Sequence, residues 1–139
     1  MNINTIAPQL LMNKFLKTYV QSAKKGHVIN ISSGAGKNAI DAWATYCASK
    51  AALDLFSQTA AEELQERSHE NWHVHAIAPG VVDTQMQTDI RNSNPADFKL
   101  HSRFVGLKND NELSDPMAVA AKICQVIEQP YKFPETILS

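Results

Sequence analysis

A strand, a long helix and a second strand between residues 28 and 78 constrain the fold of this chain more than any other pattern. The β-branched run V-I-N-I at residues 28–31 predicts a buried strand, and residues 46–67 predict a helix rich in small and apolar side chains. Residues 72–78 predict a second strand, which Pro79 and Gly80 end. Because the helix carries the chain back across the sheet, the two strands are expected to run parallel.

A further helix is predicted before the first strand. Apolar side chains recur at three- and four-residue spacing over residues 6–23, which indicates an amphipathic helix. A glycine just after a helix favours its termination, so Gly26 is expected to help to end this one.

The C-terminal third predicts one more helix and the start of a strand. The pattern loosens after Thr84, through residues 91–95, and recovers at Asp115 and Pro116, where Ser114 or Asp115 is expected to cap a helix that runs to about residue 129. Residues 136–138 are expected to begin another strand. The inner stripe of the helix is predicted to consist of Met117, Ala120, Ile123, Cys124 and Ile127.

Tyr46 and Lys50 are four residues apart in the predicted helix, so their side chains share one face. An ammonium group beside a phenol stabilises the phenolate, which tunes the phenol for proton transfer near neutral pH. Ser33 comes 13 residues before Tyr46, at the end of the preceding strand, where its hydroxyl can hold a substrate oxygen. Taken alone, the Tyr-x-x-x-Lys spacing is weak evidence, because it is far more often an ordinary exposed pair on a helix.

The surrounding motifs resemble the short-chain dehydrogenase/reductase family. They are V-I-N-I-S-S at residues 28–33, Y-x-x-x-K at residues 46–50 and A-P-G-V-V-D-T at residues 78–84, and the resemblance covers nearly the whole chain. It implies an α/β fold that is the C-terminal part of a doubly wound parallel sheet of the Rossmann type. The motifs look most like the sepiapterin reductase and benzil reductase branch, which implies reduction of a vicinal dicarbonyl or a pterin side-chain carbonyl with NADPH, with NADH left open.

The resemblance also assigns roles to individual residues. Tyr46 is implied as the proton donor to the carbonyl, Lys50 as the residue that tunes it and holds the nicotinamide ribose, and Ser33 as the group that orients the carbonyl. The family also has an asparagine that helps to position the lysine through a water molecule. Asn4 matches it best, because Asn4 is the first residue of an N-x-x-x-P motif and stands 29 residues before Ser33. Ser32 is a candidate substrate contact, although a strand-end hydroxyl more often bonds to the backbone.

The P-G-x-x-x-T segment is implied to hold the nicotinamide end of the cofactor. Pro79 and Gly80 end a strand at the carboxyl edge, where parallel sheets bind ligands. The Val82 backbone and the Thr84 hydroxyl are implied to meet the carboxamide, and Gly80 to leave room for substrate. The alternative for Thr84 is a helix cap. The segment that follows is implied to cover the substrate, and core packing explains each of its candidate residues equally well. These residues are Met86, Ile90, Phe98, His101 and Phe104.

The chain is about half as long as the resemblance requires. Its 139 residues contain no Gly-rich turn after a first strand, and Gly34-Ala35-Gly36 follows the wrong strand and lacks a third glycine at the required spacing. We therefore expect residues 1–139 to be the catalytic half of such a domain, with the N-terminal dinucleotide-binding half absent. The alternative is a truncated, non-catalytic fragment that acts as a dimerisation or interaction module.

Composition narrows the class of partners. The net charge of -1 favours neither nucleic acid nor an acidic membrane surface. No apolar stretch is long enough to span a bilayer, and two distant cysteines, Cys47 and Cys124, suit reduced thiols in the cytoplasm. His73 and His75 resemble a metal pair only superficially, so no metal is expected. We expect the two long helices to pair with their symmetry mates, as the resemblance also implies, in a homodimer or homotetramer.

Overall fold

The computed structural model describes residues 1–22 and 24–139. Within them, three strands form one parallel sheet in the order β1-β2-β3: β1 spans Gly26–Ile31, β2 Trp72–Ile77 and β3 Ile137–Leu138. The parallel pairing of the first two strands and the short strand at the C-terminus are both confirmed. The chain therefore has the predicted α/β fold, as part of a doubly wound parallel sheet.

The first helix is shorter than the sequence predicts. A π-helical segment, Asn2–Ile6, leads into α1, Ala7–Tyr19, and Ala23, the last predicted helical residue, lies outside the described residues. The prediction for Gly26 is wrong, because Gly26 is the first residue of β1. It is a glycine for a different reason: the Trp72 ring lies directly over it, and a Cβ at residue 26 would clash with that ring.

Helix α2, Ala44–Glu66, connects β1 to β2 as predicted. Three further helices follow β2: α3, Gln85–Arg91; α4, His101–Asn109; and α5, Pro116–Glu128. The first two were not predicted, since both are short and fall where the apolar pattern loosens.

The start of α5 is as predicted, but its buried face is not. The Asp115 carboxylate caps the helix by accepting a hydrogen bond from the Ala118 N–H at 2.9 Å. The predicted stripe is wrong because the helix is rotated: Val126 is buried and Val119 and Ile123 are half-buried, whereas the side chains predicted to be inside are exposed, with the exception of Ile123.

The main core lies between the sheet and helices α1 and α2. Met12 from α1, Leu64 from α2, and Trp72 and Val74 from β2 form one buried cluster. This packing fixes α2 against the sheet and so places its N-terminal turns, which carry Tyr46 and Lys50, beside the end of β1. No described helix combines the length and apolar character that crossing a membrane requires.

Within the described residues, β1 is an edge strand. The Gly26 N–H donates to the Asn71 carbonyl and the Ser32 N–H to the Ile77 carbonyl, so the even-numbered residues of this strand face β2. Because successive residues of a strand point their main-chain groups to opposite sides, those of residues 27, 29 and 31 point to the open side. A groove of about 400 Å³ runs along this edge, lined by apolar side chains that include Met12, Phe15 and Val28. This side of β1 pairs with no other described strand.

Three histidines occupy the sheet face opposite α1 and α2. His27 lies opposite His73 in the register, and His75 follows two residues later on β2. The His75 Nε2 group donates to the Phe133 carbonyl at 2.9 Å, so its Nδ1 accepts from His27 Nε2 at 2.6 Å when both rings are neutral. Burial, together with the charges of His75 and His73, lowers the pKa of His27 from 6.5 to about 4.

This cluster predicts a loss of stability in acid. In the unfolded chain His27 takes up a proton once the pH falls below 6.5, whereas in the folded chain it does so only when the pH approaches about 4. Between these two pH values protonation favours the unfolded chain, so the free energy of unfolding falls as the pH drops. We expect His27→Gln to reduce this fall, measured by urea unfolding at several pH values. His69→Gln, in the loop before β2, is the control. An equal loss in wild type and His27→Gln would contradict the prediction.

Candidate active site

Ser33 follows the carboxyl end of β1 and begins a short 3-10 turn, Gly34–Gly36. Its backbone is extended, and its Oγ accepts a hydrogen bond from the Ala35 N–H at 3.2 Å. The hydroxyl hydrogen is not used by this bond, so Ser33 can still donate to a substrate oxygen. We refer to residues 33–36 as the Ser33 turn.

Lys50 connects the Tyr46 face of α2 to the end of β1. Its Nζ lies 5.7 Å from the centre of the Tyr46 ring and donates to the Ile31 carbonyl at 2.7 Å. Ile31 is two residues before Ser33, so one ammonium group holds together the two elements that carry the predicted catalytic side chains. Burial lowers the pKa of Lys50, and the charge of Asp54 opposes this effect.

The Ser33 turn packs tightly on α2 because residue 36 is a glycine. A Cβ at Gly36 would lie 2.6 Å from the Asp54 Oδ2 atom, 3.1 Å from the Lys50 carbonyl carbon and 3.2 Å from the Ala51 nitrogen. A side chain at this position would push the turn away from the helix. The glycine therefore determines how closely Ser33 approaches Tyr46 and Lys50.

Asn4 lies in the π-helical segment that packs against α2. Its neighbour Thr5 is buried and donates from Oγ1 to the Ser49 carbonyl at 3.3 Å, one residue before Lys50. This bond holds the segment near the lysine, but the role of Asn4 itself stays a prediction. Ser32 is only 3% exposed, and its Oγ has no hydrogen-bond partner in the described part of the chain, so its contact with substrate also stays a prediction.

The segment from Pro79 to Thr84 follows the carboxyl end of β2, as Ser33 follows the carboxyl end of β1. Gly80 has a φ of 78°, a conformation that favours glycine. Val82 pairs with Ser114, which fixes the segment against the start of α5. Thr84 is the N-cap residue of α3, as the alternative predicted, although its side chain makes no capping hydrogen bond. That side chain is exposed, and its contact with a cofactor remains a prediction.

An aromatic cluster adjoins Tyr46. The Trp43 ring stacks on Phe98 at 5.3 Å between centres and meets Tyr46 edge to face at 5.7 Å, and Phe104 lies 5.6 Å from Trp43. Phe98 and Phe104 are buried, so they pack the core beneath this region and at the same time position the Trp43 ring beside the tyrosine. His101 instead bonds to the Arg91 carbonyl at 2.9 Å.

Sequence reasoning missed two residues of this site. Trp43 precedes Tyr46 by one helical turn, a spacing that a search for aromatic neighbours of the tyrosine would have found. Asp54 follows Lys50 by one turn, on the same helix face. Among the residues that the structure describes, no group of three or more His, Cys, Asp or Glu side chains is arranged to hold a metal ion.

The chain is similar to known proteins and spans about half of their length. The family model described as short chain dehydrogenase matches residues 1–95. The chain is 40% identical over 134 residues to a benzil reductase ((S)-benzoin forming) of Bacillus cereus, a match that covers 96% of this chain and 53% of that protein. It is 30% identical over 129 residues to a sepiapterin reductase of Xenopus tropicalis, covering 92% of this chain and 47% of that protein.

Solved structures give the same result. The structure of the KRED1-Pglu enzyme matches with a TM-score of 0.77 and 32% identity, over 89% of this chain and 50% of that one. A 4-hydroxyisoleucine dehydrogenase complexed with NADH matches with a TM-score of 0.69 and 25% identity, over 99% of this chain and 53% of that one. By its sequence, its parallel sheet and its Ser33, Tyr46 and Lys50 elements, this chain belongs to the short-chain dehydrogenase/reductase family.

Proposed function

We propose that this chain is the catalytic half of a carbonyl reductase that uses a nicotinamide dinucleotide. The observation that carries the proposal is the position of the Lys50 ammonium, between the Tyr46 ring and the strand end that leads to Ser33. Similarity to benzil and sepiapterin reductases supports carbonyl reduction. NADPH is proposed from the resemblance of the motifs alone, and NADH, which a similar 4-hydroxyisoleucine dehydrogenase binds, is left open. The free thiols of Cys47 and Cys124 agree with the cytoplasmic location that we also propose.

The carboxyl edge of the sheet suits the nicotinamide end of such a cofactor. Lys50 offers an ammonium group to ribose hydroxyls, Thr84 an exposed hydroxyl, and Gly80 a backbone without a Cβ. These groups, with the Val82 backbone and Pro79, would hold the nicotinamide riboside. The sequence has no Gly-x-Gly-x-x-Gly turn, the motif that places a dinucleotide pyrophosphate at a helix N-terminus in folds of this type.

The protein's contribution to the reaction is to orient the carbonyl and to supply a proton. A bound reduced nicotinamide supplies the hydride. The Ser33 hydroxyl donates a hydrogen bond to the substrate oxygen, and the Tyr46 phenol transfers its proton to that oxygen as negative charge develops there. Lys50 stabilises the phenolate that remains.

The proposed substrate is a vicinal dicarbonyl or a pterin with a side-chain carbonyl. A pterin side-chain carbonyl and an aryl dicarbonyl such as benzil both carry a flat aromatic group next to the reacting carbonyl, and the Trp43 ring beside Tyr46 offers a flat apolar surface to it. Stacking on Trp43 would align the carbonyl with Ser33 and Tyr46.

Replacing Tyr46 with Phe tests the proton donor. In a protein that contains residues 1–139 and reduces benzil with NADPH, we expect Tyr46→Phe to lower kcat by about 100-fold or more, because the ring packing remains and the proton is lost. Tyr19→Phe, on exposed α1, is the matched control. Near-normal turnover by Tyr46→Phe would show that the proposed mechanism is wrong.

Replacing Lys50 with Met separates its two roles. We expect weaker NADPH binding, seen as a higher KM, and a move of the alkaline limb of the rate profile to higher pH, because the phenolate loses the cation that stabilises it. Lys37→Met, at an exposed loop position, should change neither quantity. An unaltered pH profile in Lys50→Met would contradict the tuning of Tyr46.

We also propose that the chain associates through α1 and α2, as a homodimer or homotetramer. Ile3, Leu10 and Leu11 are 84%, 64% and 71% exposed at the N-terminal end, and Leu55 of α2 is 65% exposed. Apolar surface of this kind marks an interface. The same surface would serve the second candidate function, that of a non-catalytic interaction module.

A charge at Leu55 tests this association. We expect Leu55→Glu to lower the molar mass measured by light scattering at micromolar concentration, because a carboxylate would be buried at the interface. Gln125→Glu adds the same charge at an exposed position of α5, away from the proposed interface, and should have no such effect. A wild-type chain that is already monomeric would overturn the proposal.

A further inference from the structure

Asp54 is a buried carboxylate that the proposed reaction does not use. It is 9% exposed, and its Oδ1 atom is fully buried without a hydrogen-bond partner among the described residues. A buried charge without a partner reduces stability by several kcal/mol in general, so a chain is expected to keep one only where it serves another purpose.

The position of Asp54 indicates that purpose. On α2 it follows Lys50 by one turn, and its Oδ2 atom is covered by Gly36 of the Ser33 turn. The carboxylate is thus enclosed between the helix that carries the lysine and the turn that carries the serine. Its negative charge acts on Lys50, where it opposes the effect of burial on the pKa of the ammonium group.

We propose that Asp54 is a positioning residue of the candidate active site, whose buried negative charge keeps Lys50 charged and in place beside Tyr46. The proposal extends the function proposed above, since the charge of Lys50 matters only if Tyr46 and a cofactor depend on it. The groups that face Lys50 are Tyr46 and Asp54 on its own helix and the Ile31 carbonyl on β1; the Ser33 turn contributes no charged side chain.

Asp54→Asn tests the charge at nearly constant shape. The titration of Lys50 is followed by NMR in the 139-residue protein with ¹³C-labelled lysine, and Lys50→Arg assigns its signal. We expect the pKa of Lys50 to fall in Asp54→Asn, while the urea midpoint stays unchanged or rises because an unpaired buried charge has been removed. Asp41→Asn, which removes an exposed carboxylate beside Lys99, is the matched control and should leave Lys50 unchanged.

A second variant covers the case in which Asn does not fit. Helix α2 already buries Ser49 and Ser57, whose hydroxyls bond to the carbonyls of Tyr46 and Leu53 at 2.7 and 2.8 Å. Asp54→Ser should therefore fold, and it is expected to lower the pKa of Lys50 in the same way. If Lys50 titrates as in the wild type in either folded variant, Asp54 only fills space and the proposal is overturned.

The NMR result is independent of turnover, so it separates this proposal from the proposed function. In a protein with reductase activity, Asp54→Asn is expected to make the KM for NADPH rise at a lower pH than in the wild type, because Lys50 loses its proton earlier. A lowered pKa of Lys50 without any change in this KM profile would overturn the functional role of Asp54.

Discussion

The hydrogen bond from Lys50 to the Ile31 carbonyl is the contact on which the candidate site depends. It joins the second turn of α2 to the last residue of β1, and so determines where Ser33 lies relative to Tyr46. The core beneath it, built on Met12, Leu64, Trp72 and Val74, holds the same helix against the same sheet. Because both interactions act on α2, the geometry of the site and the stability of the core are coupled.

Two polar groups oppose the stability of this fold, the second of them only in acid. The unpartnered oxygen of Asp54 lies under the Ser33 turn, and the neutral His27 lies on the opposite sheet face, where burial disfavours its charged form. The first is close to Lys50 and has a proposed role in its charge state. His27 is remote from Lys50. It bonds to His75, which bonds to the Phe133 carbonyl, so protonation of His27 is expected to weaken the packing of the C-terminal segment in acid.

Local patterns predicted the elements but not always their faces. The strand, the long helix and the second strand were predicted because each has a strong period, and Pro79 and Gly80 end the second strand. The start of α5 was predicted because Asp115 stands directly before Pro116. The buried stripe of α5 was predicted wrongly, since nearly all of its side chains are apolar or small and only the sheet decides which side is inside. Gly26 was assigned to a helix end because its actual constraint, the Trp72 ring, lies 46 residues away in sequence.

The sequence by itself determined the fold class and predicted the chemistry of the site, because Tyr46 and Lys50 share a helix face and Ser33 follows a strand. Tertiary structure decided what no spacing contains: that Lys50 bonds to the end of β1, that Gly36 lies against Asp54, and that Trp43 stacks on Phe98. The physical reason is range. Periodicity and breakers act within a few residues, whereas these contacts join segments that only the packing of α2 and α4 against their neighbours brings together.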